Sequence, residues 1–455
     1  MSQDSPRILI VADDLTGGNA CGALFAEAGL STMTITGTGG GGSSSGTGLP
    51  DRSDGADRIA GALDDYDTVV VNANSRHMQP GDAAALTDAL LRSAGPVDLV
   101  ACRIDTTLRG NVGPTAEAAL RARQDLASTT GSGRVMGLCI PAFPSSGRVT
   151  VGGRQLLNGK LLEDTELRND VRSPMRTSVV ADILRENTKL RCHTVELSTV
   201  LAGTEAIRAD VLKALAAGTE VIVADALTND HIDLIAHAVA DLSQEENLEW
   251  VAIDPGPGSL ALARALLPKR ESGVILGVSG SATEVTRAQL AKLDEDPTIT
   301  VLRAALDADN LPDVQATVER VRMAASASAS AQTEPVRAII VATVVDASDL
   351  LELTDEQSEL IPRRLAQITA EVLATATLTG LYTTGGDVTA AVLGELGALG
   401  MEIHTEIVPL AVGGSIVGGS AAELPIVTKG GLIGDAGTGV LCLDHLMQTA
   451  GMGRA

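Results

Sequence analysis

The chain has 455 residues, of which 44% are hydrophobic and only about 1% aromatic, and it carries a formal net charge of −24. That length is natural for two domains of roughly 200 residues, each able to bury its own core of Val, Leu, Ile and Ala. The acidic balance argues against nucleic acid or an anionic membrane as partner, because binding their phosphates needs a basic surface.

In chain order, short β-branched runs alternate with longer segments of helical period, the pattern of βαβ units around a parallel sheet. The amino terminus, MSQDSPRILIVADD, lacks a basic segment followed by a long apolar one, and no run reaches the roughly 18 apolar residues of a membrane span, so the expectation is a cytoplasmic protein. RILIVA, STMTIT, DTVVVN, DLVACRI, RVMGLCI and EVIVA are the strands expected of the first half. Behind the first strand, Ala20, Leu24 and Ala28 beside Cys21 and Phe25 mark a core-facing helical stripe. GTGGGGSSSGTG at 37–48 reads as a flexible surface loop. The polar stretch DLSQEENLE predicts the domain boundary, giving residues 1–245 and 246–455. EWVAID, GVILGV, TITVLR, RAIIVATVV, LTGLYTT and LPIVTK are the strands expected after it, with AASASASAQTEP at 324–335 as a second loop. The fold class expected is α/β, two domains each with a largely parallel sheet flanked by helices. Five scattered cysteines without C-x-x-C spacing read as buried, reduced thiols, and six histidines without paired ligand spacing predict no zinc site.

Strand after strand ends in a polar tail. Asp13-Asp14-Leu15-Thr16-Gly17, Asn74-Ser75-Arg76, Asp105 to Asn111 and Pro141 to Arg148 close four strands of the first half. Ligands of open α/β sheets bind outside the carboxyl ends of the strands, so these tails predict one crevice. There Arg76, Arg109 and Arg148 offer forked donors for a carboxylate or phosphate, and Asp13, Asp14 and Asp105 orient hydroxyls or remove a proton; a small polyhydroxylated acid suits that mixture. The bland alternative is that each Asp caps the next helix and each Arg pairs with it. His77, next to Arg76, either lines the crevice or sits at the surface.

The second half offers backbone donors. Ser279-Gly280-Ser281, Gly385-Gly386-Asp387 and Lys429-Gly430-Gly431 each follow a strand, and glycines at such turns let amides approach phosphate oxygens, which points to a nucleotide site. Residues 153–161 (GRQLLNGKL) fail as a Walker loop in spacing, and Leu161 stands where Ser or Thr belongs. Gly256-Pro257-Gly258-Ser259-Leu260-Ala261 matches G-x-G-x-x-A and keeps an NAD-dependent dehydrogenase as a rival reading; a sugar-acid or nucleotide sensor without chemistry is another.

ADDLTGG at 12–18, IDTTLRGN at 104–111, PAFPSSGR at 141–148, SGSAT at 279–283 and TGGDVTA at 384–390 together resemble, in order and spacing, the four-carbon acid sugar kinases, and the resemblance covers nearly the whole chain. It implies an ATP-dependent kinase of carbohydrate metabolism acting on threonate, erythronate or 3-oxo-tetronate, with a substrate domain first, a nucleotide-binding domain second and the active site in the cleft between them. It implies substrate contacts on Asp13, Asp14, Arg76, Asp105, Arg109 and Asn111, to which the strand-end reading adds Asn74 and Arg148. Nucleotide contacts are implied on Ser279, Ser281, Gly385, Gly386, Asp387 and Gly431, with Gly430 beside them. Asp105, or failing it Asp14, is expected to accept the hydroxyl proton, Arg76 and Arg109 to grip the carboxylate, and Asp387 to help hold Mg²⁺ on the ATP phosphates. The chain departs from the family in Gly18, where members have a small residue such as Ala, and in KGGLIG at 429–434, where K-S-G-N-F-G is common. The apolar balance permits a homodimer.

Overall fold

The computed structural model describes residues 6–36, 52–130, 133–267, 273–330 and 336–450. The glycine run expected as a loop at 37–48 lies outside the described residues. The chain divides into two compact units, the first comprising Asp4–Ala26 and Leu30–Pro268 and the second chiefly Lys269–Ala455. Among the described residues no helix is long and apolar enough to cross a membrane.

The first unit contributes β1 (Ile8–Ala12), β2 (Thr32–Thr36), β3 (Thr68–Asn72), β4 (Leu99–Arg103) and β5 (Arg134–Cys139). A small antiparallel sheet follows, β6 (Arg148–Val151), β7 (Arg154–Leu157) and β8 (Lys160–Leu161), and then β9 (Cys192–Val195), β10 (Val221–Ala224) and β11 (Leu248–Asp254). Eight of these form one all-parallel sheet in the order β2-β3-β1-β4-β11-β5-β10-β9. Helices join its strands, so β1 and β4 are buried along their whole length and read as unbroken apolar runs. Three features correct the sequence reading. EWVAID does not open the second domain: β11 lies between β4 and β5, so the boundary expected at 245 falls inside the first unit, which continues to Pro268. GRQLLNGKL, which the sequence reading does not count among the strands, forms the β7–β8 hairpin, in keeping with its failure as a Walker loop. In the helix Leu15–Glu27 the buried stripe runs through Gly17, Gly18, Cys21, Gly22 and Phe25, leaving Ala20 exposed. The helix packs through its glycines, and a Cβ on Gly18 would come within 2.9 Å of the Ala12 Cβ and 3.2 Å of Val70, which gives a steric reason for glycine there.

The second unit holds β12 (Val274–Ser279), β13 (Ile299–Arg303), β14 (Ala338–Ala342), β15 (Leu378–Thr384), β16 (Gly400–Val408), β17 (Ala411–Val417) and β18 (Pro425–Lys429), in the order β13-β14-β12-β15-β18-β17-β16. The first five in that order run parallel, and β17 and β16 complete the edge antiparallel, a hairpin the sequence reading does not contain. Of the segment expected as a loop at 324–335, residues up to Ser330 continue the helix Val314–Ser330, since alternating Ala and Ser contain no helix breaker; 331–335 are outside the described residues.

Candidate functional site

In the first sheet β3, β1 and β4 are neighbours, so the loops leaving their carboxyl ends lie side by side. These loops carry a dense ionic network. Arg76 donates from Nε to Asp13 Oδ2 (2.7 Å), and its Nη2 reaches Asp14 Oδ1 (3.0 Å) and Asp105 Oδ1 (3.3 Å). Arg103 donates from Nη1 to Asp13 and Asp14, each at 3.0 Å. Arg109 forks onto Asp105 through Nε (2.9 Å) and Nη2 (3.1 Å), and its Nη1 reaches Asp170 (3.3 Å). Asp14 also caps the helix Leu15–Glu27, accepting from the Gly17 amide at 2.9 Å, so the bland capping reading of this residue is true alongside the other. Asn111 closes the loop, donating to the carbonyls of Ser75 and Met78 at 2.9 Å.

Arg103, Thr107 and Asp170 are members of this network that the strand-end reading passes over. Arg103 had a signal: a charged residue closing a strand, LVACR, whose other side chains are buried and apolar. It lies across the helix start because residue 17 is glycine; a Cβ there would sit 1.6 Å from Arg103 Nη1. Two expected residues do not join. Arg148 follows β5, which β11 separates from β4, and its guanidinium turns back to the Ser146 carbonyl. Asn74 is exposed with φ of 48°, its amide taken by Asn72 Oδ1. Three of the four tails share the ionic network, and the fourth is tied to the Asp105 loop by Gln155, whose Nε2 donates to the carbonyls of Thr106 (3.1 Å) and Pro141 (2.9 Å).

Burial would raise the Asp105 carboxyl, but hydrogen bonds from Arg109 and Thr107 and the charges of Arg76 and Arg109 overcome it and hold the group down at about 2. Asp13 is shifted upward, because burial outweighs the Arg76 hydrogen bond and the Arg76 and Arg103 charges. Next to the network, Arg76, His77, Gly110, Asn111, Arg172 and Arg176 help to line a cavity of about 520 Å³.

In the second sheet β12, β15 and β18 are likewise neighbours, and their three turns help to line a single cavity of about 790 Å³. Ser281, Gly385, Asp387, Gly430 and Gly431 lie on its wall, while Leu306, Leu350, Leu351 and Ile361 supply an apolar side. Ser279 ends β12, buried, with an Oγ that has no hydrogen-bond partner among the described residues, and Gly386 is exposed at the first turn of the helix Gly386–Glu395. Thr283 and Thr286 donate to the Gly431 carbonyl at 2.6 and 2.8 Å, pinning that loop against the β12 turn. The approach requires glycine, as a Cβ on Gly431 would lie 2.4 Å from Ser281 Oγ. Lys429, buried at the end of β18, donates to the Gly430 carbonyl at 3.0 Å, and burial lowers its amine to about 8. Neither Thr286 nor this amine stands out from sequence, where the glycines carry the signal.

Asp387 lines the cavity from the helix start, exposed and without an ion pair or side-chain hydrogen bond among the described residues. No group of three or more His, Cys, Asp or Glu side chains suited to a metal occurs among the described residues. One free carboxylate beside three glycine turns would suit a magnesium ion that keeps water and phosphate ligands and takes few from protein. The rival G-x-G-x-x-A turn is packed away: the Gly256 amide donates to Asp254 at 2.8 Å, and Gly258 to Ala263 are buried in the helix Pro257–Leu266.

Comparison with known proteins agrees with this division. Residues 8–263 match the family model described as a sugar-binding N-terminal domain, and residues 276–438 match a nucleotide-binding C-terminal domain. The chain is 34% identical to a D-erythronate kinase of Heliobacterium modesticaldum, over 97% of either chain. It is 30% identical to a D-threonate kinase of Salmonella typhimurium, over 95% of this chain and 96% of that one. A 3-oxo-tetronate kinase of Methylobacterium radiotolerans is 26% identical over 87% and 89% of the two chains. Among solved structures, a domain of unknown function from Bordetella bronchiseptica, a domain-swapped dimer with bound citrate, superposes with a TM-score of 0.66 at 25% identity, covering 99% of this chain and all of that one.

Proposed function

The chain belongs to the four-carbon acid sugar kinase family and is a kinase, and from that premise we propose that it transfers the γ-phosphoryl group of ATP to a hydroxyl of a four-carbon sugar acid, with D-erythronate the first candidate. The observation that carries this reading is the pair of equivalent sites: three adjacent strand ends with an acid and guanidinium network in one unit, three adjacent strand ends with glycine turns in the other. The apolar wall of the second cavity suits a purine, and the amides around Gly385, Gly430 and Gly431 suit its phosphates. Mg²⁺ beside Asp387 would neutralise the phosphate charge.

Phosphoryl transfer asks for positioning and charge neutralisation more than for covalent chemistry by the protein. Asp105 is a poor proton acceptor, since both its oxygens are occupied by guanidiniums and its carboxyl is held at about 2. It serves instead to fix Arg109 and Arg76. Asp14 is the more reachable carboxylate, with a side chain 28% exposed against 7% for Asp105, and it takes the role of orienting the reacting hydroxyl and accepting its proton. Asn111 and Gly110 hold the loop against Arg76, where a Cβ on Gly110 would meet the Arg76 side chain at 2.9 Å. A homodimer, the assembly type of the Bordetella structure, is part of this proposal. The test is coupled ADP release with Mg²⁺-ATP across both stereoisomers of erythronate and threonate and their 3-oxo forms. Turnover with one member supports the reading and names the substrate; silence across the panel with ATP bound refutes it.

A further inference from the structure

We propose that Arg172 and Arg176 receive the carboxylate of the sugar acid, an assignment that rests on the function proposed above. Arg76 and Arg109, expected from sequence to grip that carboxylate, are already committed. Asp13, Asp14, Asp105 and Asp170 face only Arg76, Arg103 and Arg109, so the network carries a surplus negative charge and repels a further anion. The substrate's charge has to be met elsewhere.

The adjoining cavity of about 520 Å³ supplies it. Arg172 and Arg176 line it together with Arg76 and Asn111, and among the described residues neither guanidinium forms an ion pair or a side-chain hydrogen bond. Both guanidiniums are exposed at the cavity wall, free to meet a ligand. Glu186 is the one acidic residue on the wall, and against two free arginines it leaves a single positive charge, the complement of one carboxylate. The loop bearing the arginines is built, not loose. Asp170 Oδ1 accepts the amides of Arg172 (2.9 Å) and Ser173 (2.8 Å), while its Oδ2 takes Arg109 at 3.3 Å. Met175 is buried, and its amide donates to the Leu167 carbonyl at 2.9 Å. Asp170 therefore ties the carboxylate loop to the hydroxyl-reading network, and the two arginines present forked donors from its rim.

The test compares the full-length wild type with Arg172→Ala, Arg176→Ala and the double variant. Both side chains are exposed and unbonded, so folding is preserved, which the emission of the buried Trp250 reports. Binding of D-erythronate and D-threonate is measured by calorimetry without nucleotide, beside the primary amides of the same acids, which keep every hydroxyl and lose the charge. Each single variant is expected to weaken acid binding about 10-fold and the double about 100-fold, with the amides changed less than about 2-fold, as fits loss of charge-assisted hydrogen bonds. In turnover the variants raise KM and leave kcat near wild type, and Arg176→Lys recovers part of the affinity. Unchanged acid binding in the double variant, or equal weakening of acid and amide, overturns the assignment while wild-type turnover leaves the kinase reading standing. A wild type that binds no four-carbon acid removes both.

Discussion

Asp105→Asn separates the anchoring role of this carboxylate from a catalytic one. In the folded protein the group is depressed from 3.8 to about 2, a shift that corresponds to about 2 kcal/mol of stability. The sign follows from the depression: the contribution is complete above the unfolded value near 4 and disappears as pH falls through 4 toward 2. At pH 3 about half of it is gone, or roughly 1 kcal/mol. Asn cannot ionise, so the variant should be less stable than wild type by about 2 kcal/mol at pH 7 and by only about 1 kcal/mol at pH 3. Urea unfolding followed by Trp250 emission measures this directly, because Trp250 is the only tryptophan and is buried in β11 of the first sheet. The same variant should keep measurable turnover, whereas Asp14→Asn should lose about 100-fold or more in kcat. A stability difference that is identical at the two pH values, or abolished turnover in Asp105→Asn with sugar-acid binding intact, refutes this account of Asp105.

Three further substitutions probe the geometry. Gly17→Ala places a methyl where Arg103 lies, 1.6 Å from its Nη1; a change that in an ordinary helix gains up to about 1 kcal/mol should instead destabilise the first unit in urea unfolding and weaken sugar-acid binding, and a gain in stability would count against the Arg103 bridge. Lys429→Met removes an amine lowered from 10.5 to about 8 by burial, whose charged form the fold disfavours. The second unit should gain on the order of 3 kcal/mol at pH 7, with the gain shrinking as pH rises from 8 toward 10.5, followed by circular dichroism, while ATP-dependent turnover falls. Gly431→Ala drives a methyl onto Ser281 Oγ and should lower ATP affinity about 10-fold in calorimetry without altering sugar-acid binding, the cost of misplacing phosphate-binding amides.

What sequence reasoning reaches here, and what it misses, has a physical pattern. Strands buried on both faces are near-continuous apolar runs, so β1, β3, β4, β12 and β14 stand out, and so do the polar tails that leave them. Spatial order is another matter. EWVAID has the composition of any interior strand, and nothing local to it says that it slots between β4 and β5; the same fact isolates Arg148 from the Asp cluster. The β16–β17 hairpin escapes because its partner strand, AVGGSIV, carries two glycines: a Cβ on Gly414 would lie 1.9 Å from the Glu402 carbonyl, so close pairing erases the side-chain alternation that marks a strand. Arg103 is marked only as the charged end of an apolar strand, and Arg172 and Arg176 sit in irregular chain where no period exists.

The position of β11 also shapes how the first unit assembles. Val251 pairs with Val100 on one side and Gly137 on the other. Until that late segment leaves the ribosome, β2-β3-β1-β4 and β5-β10-β9 exist only as two half-sheets, each with an open edge of unsatisfied backbone groups. The nascent chain must therefore keep two sticky edges apart over a stretch of more than a hundred residues, and the last strand made acts as the seam that joins them.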